Sequence, residues 1–173
     1  MKYFFLDTDE RNKIPYDINK NCAIDIPKLA REGLSKLSGW TIVRMVFPHE
    51  GFFPDILCKP CLFLSQTCME VLMMYGADVS YKVVKLSDWE NGANATYFLP
   101  IIEEVDCMSK KTTYNTTGNR IEELVLEEEK IGNRVAFKVK GYERKGFMAR
   151  LDYVESILRR KVRGIRLEEV CVV

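Results

Sequence analysis

The sequence SQTCMEVLMMYG at residues 65–76, followed by SYKVVKL at residues 80–86, contains the change of periodicity that decides the fold. Apolar residues recur in the first stretch with the spacing of one helix face, at Cys68, Val71, Leu72 and Tyr75. Ser65 offers a side-chain oxygen to a free amide at the start of this helix, and Gly76 suits its left-handed end. The second stretch has the composition of a strand, so helix gives way to sheet at this point.

Strand-like segments recur on both sides of this helix. They cover residues 3–6, 40–47, 81–86, 95–99, 102–105, 121–126, 135–139, 147–151 and 165–172. Two further helices are predicted, at residues 27–37 and 152–163, and in the second Asp152 and Glu155 form a capping box while Gly164 ends the helix. Grouped strands with few helices predict an α+β fold. We expect a mainly antiparallel sheet with a few helices packed on it, in a single domain over residues 1–173.

Composition narrows the class of protein. The chain has 173 residues and a net charge of +1, and so close a balance argues against a dedicated nucleic-acid binder. No stretch reaches the ~20 apolar residues that a membrane-spanning helix needs. The N-terminal apolar run is too short for the core of a signal peptide. We therefore expect a cytoplasmic protein whose six cysteines are reduced thiols.

The sequence CKPC at residues 58–61 is the pattern that most resembles a redox or zinc site. A structural zinc site needs four ligands, and the sequence has no second CxxC pair and no paired histidine. The redox form opens a helix, whereas the helix here begins only after Ser65. We interpret Cys58 and Cys61 as unrelated thiols and expect neither a metal nor a cofactor. His49, the only histidine, has no nucleophile motif beside it and is expected to be an exposed loop residue.

Carboxylates concentrate in two stretches of the chain. The first contains Glu103, Glu104 and Asp106, and the second contains Glu127 and Glu128. Runs of charge are most often solvated faces, and an acid pair for catalysis needs two carboxyls in a cleft with separated pKa values. The functional interpretation is an acidic surface for a basic partner protein, since complementary charge speeds and selects association. These five residues are our candidate partner-binding residues, and no catalytic or metal-binding residue is predicted.

Four segments in the C-terminal two-thirds have a recognisable order and spacing. They read FPDIL at residues 53–57, YFLPIIEEVDCMS at 97–109, EKIGNRVAFKVKG at 129–141 and ARLDYVESILRRKVRGIRLEEV at 149–170. Together they resemble a family of bacterial immunity proteins of polymorphic toxin systems, the one numbered eleven among such families. The resemblance covers about Phe53 to Val170, and residues 1–50 match less well. Cys107 falls where the family pattern has a cysteine, whereas the CxxC pair lies outside that pattern.

The resemblance implies a cytoplasmic protein, encoded beside a toxin, that binds and neutralises that toxin without catalysis or a cofactor. Matching residues such as Pro54, Pro100 and Gly164 have the chemistry of fold determinants. The binding surface is therefore expected at exposed positions outside the pattern, because each immunity protein must match its own toxin. Two alternatives remain open. One is a small enzyme that uses Cys107 or a carboxylate pair, and the other is a scaffolding module that self-associates.

Overall fold

The computed structural model of the protein describes residues 1–11, 41–46, 52–59, 61–77 and 79–173. Within these ranges the chain forms three helices: α1 (Gln66–Met74), α2 (Glu128–Ile131) and α3 (Leu151–Arg159). The strands in the same ranges are β1 (Tyr3–Thr8), β2 (Thr41–Arg44), β3 (Ile56–Leu57), β4 (Phe63–Leu64), β5 (Tyr81–Ser87), β6 (Asn94–Pro100), β7 (Glu104–Val105), β8 (Thr113–Tyr114), β9 (Ile121–Glu123), β10 (Val125–Leu126), β11 (Ala136–Val139), β12 (Phe147–Arg150) and β13 (Ile165–Val172).

The strands form three sheets. The largest has six strands in the order β10-β13-β1-β12-β11-β7, the second has five in the order β2-β5-β6-β4-β3, and β8 pairs with β9 alone. Most pairs are antiparallel, but β2 with β5, β7 with β11, and β10 with β13 are parallel. The α+β prediction is thus confirmed. The sheets are mixed but mostly antiparallel, in agreement with the predicted pairing, although the described strands form three sheets and not one.

The apolar run of β1 explains why this strand lies inside the six-stranded sheet. Tyr3 and Phe5 belong to the hydrophobic core on one face of the sheet, while Leu6 belongs to the core on the other face. Alternating side chains point to opposite faces of a strand, so the four consecutive apolar residues Tyr3–Leu6 of β1 must be covered on both faces of the sheet. Helices α1 and α3 cover the face of Leu6, and Ile131 of α2 joins the core on the face of Tyr3.

Helix α1 follows its sequence signals closely. The Ser65 side chain accepts a hydrogen bond from the Cys68 amide at 3.4 Å, and Gly76 adopts a φ of +74°. The helix packs on α3, where the Tyr153 hydroxyl donates to the Cys68 carbonyl at 3.2 Å. No helix of the described residues is long and apolar enough to cross a membrane.

Helix α3 begins and ends differently from its prediction. It starts at Leu151, because β12 runs directly into it and the extended backbone of Arg150 takes the N-cap position without a side-chain cap. Asp152 lies in the first turn and pairs with Arg150 at 2.7 Å, so the capping-box prediction was wrong. The helix ends at Arg159 and not near Gly164, because Lys161 adopts a φ of +58° that an α-helix does not accommodate.

Three other boundaries depend on partner strands. The predicted strand at 121–126 is divided into β9, which pairs with β8, and β10, which pairs with β13. Only Glu104–Val105 of the predicted strand 102–105 pairs, with β11. The predicted strand 40–47 is present as Thr41–Arg44, and the predicted helix at 27–37 lies outside the described residues.

Candidate functional site

An open groove of about 720 Å³ lies between the β8–β9 hairpin and the loop of residues 140–146 that joins β11 to β12. Among the described residues its lining contains five acidic side chains, Asp7, Glu10, Glu122, Glu143 and Glu168. It also contains five basic side chains, Lys59, Arg120, Arg144, Lys145 and Arg166. Charged side chains of both signs therefore line one concave surface, and they leave it without net charge.

The loop at residues 140–146 is held against β1 by glycine. A β-carbon at Gly146 would lie 2.4 Å from the Leu6 carbonyl oxygen and 2.5 Å from Cζ of Phe5, so the backbones approach more closely than any side chain allows. Gly141, at the other end of the loop, has a φ of +78°. Between them the Tyr142 ring packs edge-on against Phe5 at 5.5 Å between centroids. This wall of the groove is therefore fixed in position by contacts with the sheet.

Arg144 links this wall to the floor of the groove. Its guanidinium lies 4.3 Å from the centre of the Phe5 ring, and Nη1 donates to the Tyr142 hydroxyl at 3.1 Å. The same Nη1 contacts both carboxylate oxygens of Glu168 on β13, the shorter distance being 2.9 Å. Arg166 approaches that carboxylate at 3.5 Å, so two guanidinium groups share one carboxylate.

The opposite wall is a short hairpin with a tightly bonded turn. The side-chain oxygen of Asn115 accepts hydrogen bonds from the backbone amides of Asn119 and Arg120, both at 3.1 Å. Gly118 supplies a φ of +71° within the turn. These contacts fix the backbone at Arg120, whose side chain lines the groove and forms no ion pair with any residue that the structure describes.

A smaller cavity of about 200 Å³ is lined in part by the same loop residues as the groove, Tyr142 to Lys145. Its lining includes Phe5, Leu62, Cys58 and Glu104, the last of which is a predicted partner-binding residue. Burial raises the pKa of the Cys58 thiol to about 12, so this cysteine is a neutral packing group at physiological pH. Glu104 thus connects the acidic stretch of β7 to the loop that forms the groove wall.

The structure brings the two predicted acidic stretches together. The Glu127 amide donates to the Cys107 carbonyl at 2.8 Å, which places the start of α2 beside the end of β7. Four of the five predicted carboxylates have a cationic partner within the protein. The pairs are Glu103 with Arg134, Asp106 with Lys140, Glu127 with Lys130, and Glu128 with the N-terminal ammonium. This surface, which we call the acidic edge, therefore carries less net negative charge than its sequence indicates.

Exposed ion pairs of this kind stabilise a fold only slightly. The hydrogen bond from Arg134 lowers the pKa of Glu103, so this carboxyl stays ionised through the neutral range. The two hydrogen bonds between Arg134 and Glu103 measure 2.8 and 2.9 Å. Because the pairs are exposed, a partner protein can exchange them for its own charges at small cost.

Cys107 and Asp106 do not form a reactive pair. The Cys107 side chain is fully buried in the core that contains Phe137 and Leu126, while Asp106 is exposed. Burial raises the pKa of the Cys107 thiol to about 11, which disfavours the thiolate that a nucleophile requires. The enzyme alternative through Cys107 therefore lacks support from the geometry.

The CxxC cysteines also differ in their surroundings. Cys58 is a buried free thiol, whereas Cys61 is partly exposed. Cys68 is buried on α1, where burial raises its pKa to about 12. Across the described ranges, no group of three or more histidine, cysteine or carboxylate side chains is placed to hold a metal ion. His49 lies outside the described residues.

Thiol labelling provides a direct test of these assignments. With iodoacetamide at pH 8, we expect Cys171 to react rapidly because it is exposed, and Cys58, Cys68 and Cys107 to react only after unfolding. A pKa of about 11 leaves roughly one thiol in a thousand as thiolate at this pH, in addition to the steric protection. Peptide mapping of the labelled native and unfolded protein measures each site. Labelling of Cys107 as fast as that of Cys171 would contradict this assignment.

The residues that carry the family resemblance meet at Pro54. A β-carbon on Gly164 would lie 2.6 Å from Cβ of Pro54, and the buried Tyr97 hydroxyl donates to the Pro54 carbonyl at 2.5 Å. Asp55 accepts a hydrogen bond from the Arg163 amide at 2.8 Å, and its own amide donates to the Arg163 carbonyl at 2.9 Å. Three of the four resembling segments therefore contact one another here, as expected of fold determinants.

Sequence reasoning missed the groove, although a local signal is present. The loop sequence GYERKG at residues 141–146 places charged residues of both signs between two glycines, and it follows one strand and precedes another. The turn NTTGN at residues 115–119 is also polar and lies between two strands, but it has one glycine and no charged residue. Nothing in either sequence indicates that the two loops face each other, because they belong to different sheets.

Comparison with models of known protein families gives no match for this chain. Comparison with curated protein sequences also gives no significant match.

Proposed function

We propose that this protein is a cytoplasmic immunity protein, which binds a toxin protein of its own cell and neutralises it without a cofactor. One observation carries the proposal. Three of the four segments that resemble the immunity family contact one another at Pro54, whereas most of the two groove walls, residues 113–123 and 142–146, lies outside those segments and only the floor, with Arg166 and Glu168, lies inside one of them. A shared scaffold with a separate, individual binding surface is the division that an inhibitor of one particular toxin requires.

The chemistry of the groove supports recognition of a protein. Charged groups of both signs set the register of a partner and reject partners with the wrong pattern. Arg144 is held by Phe5, Tyr142 and Glu168, so its guanidinium is ordered before any partner arrives. Ordering a side chain in advance reduces the entropy lost on binding.

The acidic edge completes the proposed interface as a region that attracts a basic toxin. Glu104 lies on the edge strand β7 and also lines the small cavity beside the groove wall, so the two surfaces are continuous. Charges at the rim of an interface act mainly on the rate of association. The proposed roles are therefore attraction by the acidic edge and docking in the groove.

The test of the proposed function is co-expression with the toxin domain encoded by the neighbouring gene. We expect the protein to restore growth and to form a stoichiometric complex with that domain. Absence of both rescue and complex overturns the proposal.

Charge reversal on the acidic edge provides a finer test. We expect Glu104→Lys combined with Asp106→Lys to slow association with the toxin domain by about tenfold at low salt, with a smaller effect at high salt. The matched control is Glu155→Lys on the exposed face of α3, where the carboxylate pairs with Arg159 at 3.4 Å. Association rates measured by surface plasmon resonance distinguish them. If both variants associate as fast as the wild type, the acidic edge has no role in attraction.

A further inference from the structure

The groove offers hydrogen-bond donors and acceptors that the protein itself does not use. Among the described residues Arg120 and Lys145, on opposite walls, form no ion pair, and neither do Glu122 and Glu143. Of the three guanidinium nitrogens of Arg144, only Nη1 donates to a described side chain. A guanidinium carries five N–H donors, so most of this capacity is left for another molecule.

The positions of these groups restrict what that molecule can be. Each wall carries one cation and one carboxylate without an ion-pair partner, Arg120 with Glu122 and Lys145 with Glu143. A polyanion such as nucleic acid would gain from two cations but would meet repulsion from two carboxylates. A uniformly basic peptide would gain from the two carboxylates but would be repelled by the two cations. A segment with both kinds of charge satisfies both walls.

We infer that the groove is the docking site for a protein segment that presents an acidic and a basic side chain close together in sequence. The inference rests on the proposed function and assigns the toxin contact to this surface. The acidic side chain of the segment binds the cations at Arg120, Arg144 and Lys145, and the basic side chain binds Glu122 or Glu143. Arg144, which is held between this wall and Glu168 of the floor, fixes the register of the segment.

The experiment measures binding of an inactive form of the neighbouring gene's toxin domain to wild-type protein and to groove variants. Arg120→Glu and Lys145→Glu test the two walls independently, so failure of one variant to fold leaves the other informative. We expect each to weaken affinity by about tenfold or more, with a smaller difference at high salt. Thermal unfolding checks that each variant is folded.

A charge exchange on one wall separates position from net charge. The double variant Arg120→Glu with Glu122→Lys keeps the net charge of the groove but exchanges the two signs, and we expect it to bind as weakly as Arg120→Glu alone. The matched control exchanges Glu155 and Arg159 on α3, an exposed ion pair outside the groove lining, and should bind like the wild type.

The outcomes distinguish the two levels of the proposal. If the wild type binds the toxin domain and the groove variants bind equally well, the groove assignment is overturned while the immunity function stands. If the wild type neither binds nor rescues, the proposed function fails and the groove assignment fails with it. If the double variant regains wild-type affinity, only net charge matters and docking by position is overturned.

Discussion

Replacement of Gly146 by alanine is expected to destabilise the protein by about 3–5 kcal/mol, through overpacking and an unfavourable backbone conformation together. The added β-carbon would lie 2.4 Å from the Leu6 carbonyl oxygen and 2.5 Å from Cζ of Phe5. The Leu6 carbonyl belongs to the backbone of β1, which lies inside the six-stranded sheet, and the Phe5 side chain is buried in the core. Neither group can therefore move away easily. The φ of Gly146, +155°, is one that residues with a side chain rarely adopt.

The matched control lies at the other end of the same loop. Gly141→Ala introduces the same methyl group at a φ of +78°, but no atom lies within 4 Å of the new carbon. Its expected cost is roughly 1–2 kcal/mol, from the backbone conformation alone. Urea unfolding followed by circular dichroism measures both variants, provided that their m-values agree. Equal destabilisation of the two would show that the contact with β1 contributes nothing.

Replacement of Gly164 by alanine is the second change with a large expected effect, about 2–4 kcal/mol from overpacking and the left-handed backbone. The new carbon would lie 2.6 Å from Cβ of Pro54 and 3.2 Å from Cε2 of Phe52. The proline ring is rigid. Asp55 follows Pro54 and Arg163 precedes Gly164, and the two hydrogen bonds between Asp55 and Arg163 prevent the two segments from separating easily.

Gly76→Ala is the matched control for this second change. Gly76 has nearly the same φ, +74° against +72°, but it has no neighbour within 4 Å of the added carbon. Unfolding measurements should therefore show that Gly76→Ala lowers the free energy of unfolding by roughly 1–2 kcal/mol, the cost of the positive φ. The additional destabilisation by Gly164→Ala is then the cost of the contact with Pro54. If Gly164→Ala proves no worse than Gly76→Ala, the contact between the FPDIL and VRG segments is not a stability determinant.

Gly164 also illustrates how far sequence reasoning extends. Its presence after an amphipathic helix predicts a helix stop, and its φ is indeed left-handed. The helix nevertheless ends several residues earlier, at Arg159, and Gly164 is required instead by contact with Pro54. A glycine signal indicates that the backbone needs freedom or space at a position, but the sequence does not say which neighbour imposes the need.

The candidate site was likewise predictable from the sequence only in part. The two predicted acidic stretches lie near each other only because the Glu127 amide at the start of α2 donates a hydrogen bond to the Cys107 carbonyl beyond β7. Their cationic partners, among them Arg134 and Lys140, come from other parts of the chain. The groove depends on contacts between three separate parts of the chain. Its walls and floor come from the β8–β9 hairpin, the 140–146 loop and β13.

The sequence by itself determined the elements whose signals are local. The N-cap of Ser65 and the apolar stripe after it specify α1, and the composition of residues 165–172 specifies β13. The apolar run Tyr3–Leu6 specifies a strand at the start of the chain, which is present within β1. These features depend on hydrogen bonds and periodicities within a few residues, so no distant partner is needed to read them.

Only the tertiary structure decided which strands pair, where the long strand at 121–126 divides and which charged residues face one another. Parallel pairing of β10 with β13 and antiparallel pairing of β9 with β8 assign neighbouring residues to different sheets. The physical reason is that strand pairing and ion pairing gain free energy from contacts between residues far apart in the chain. A local sequence pattern does not indicate those contacts. The groove forms only because of them, so it could not be predicted.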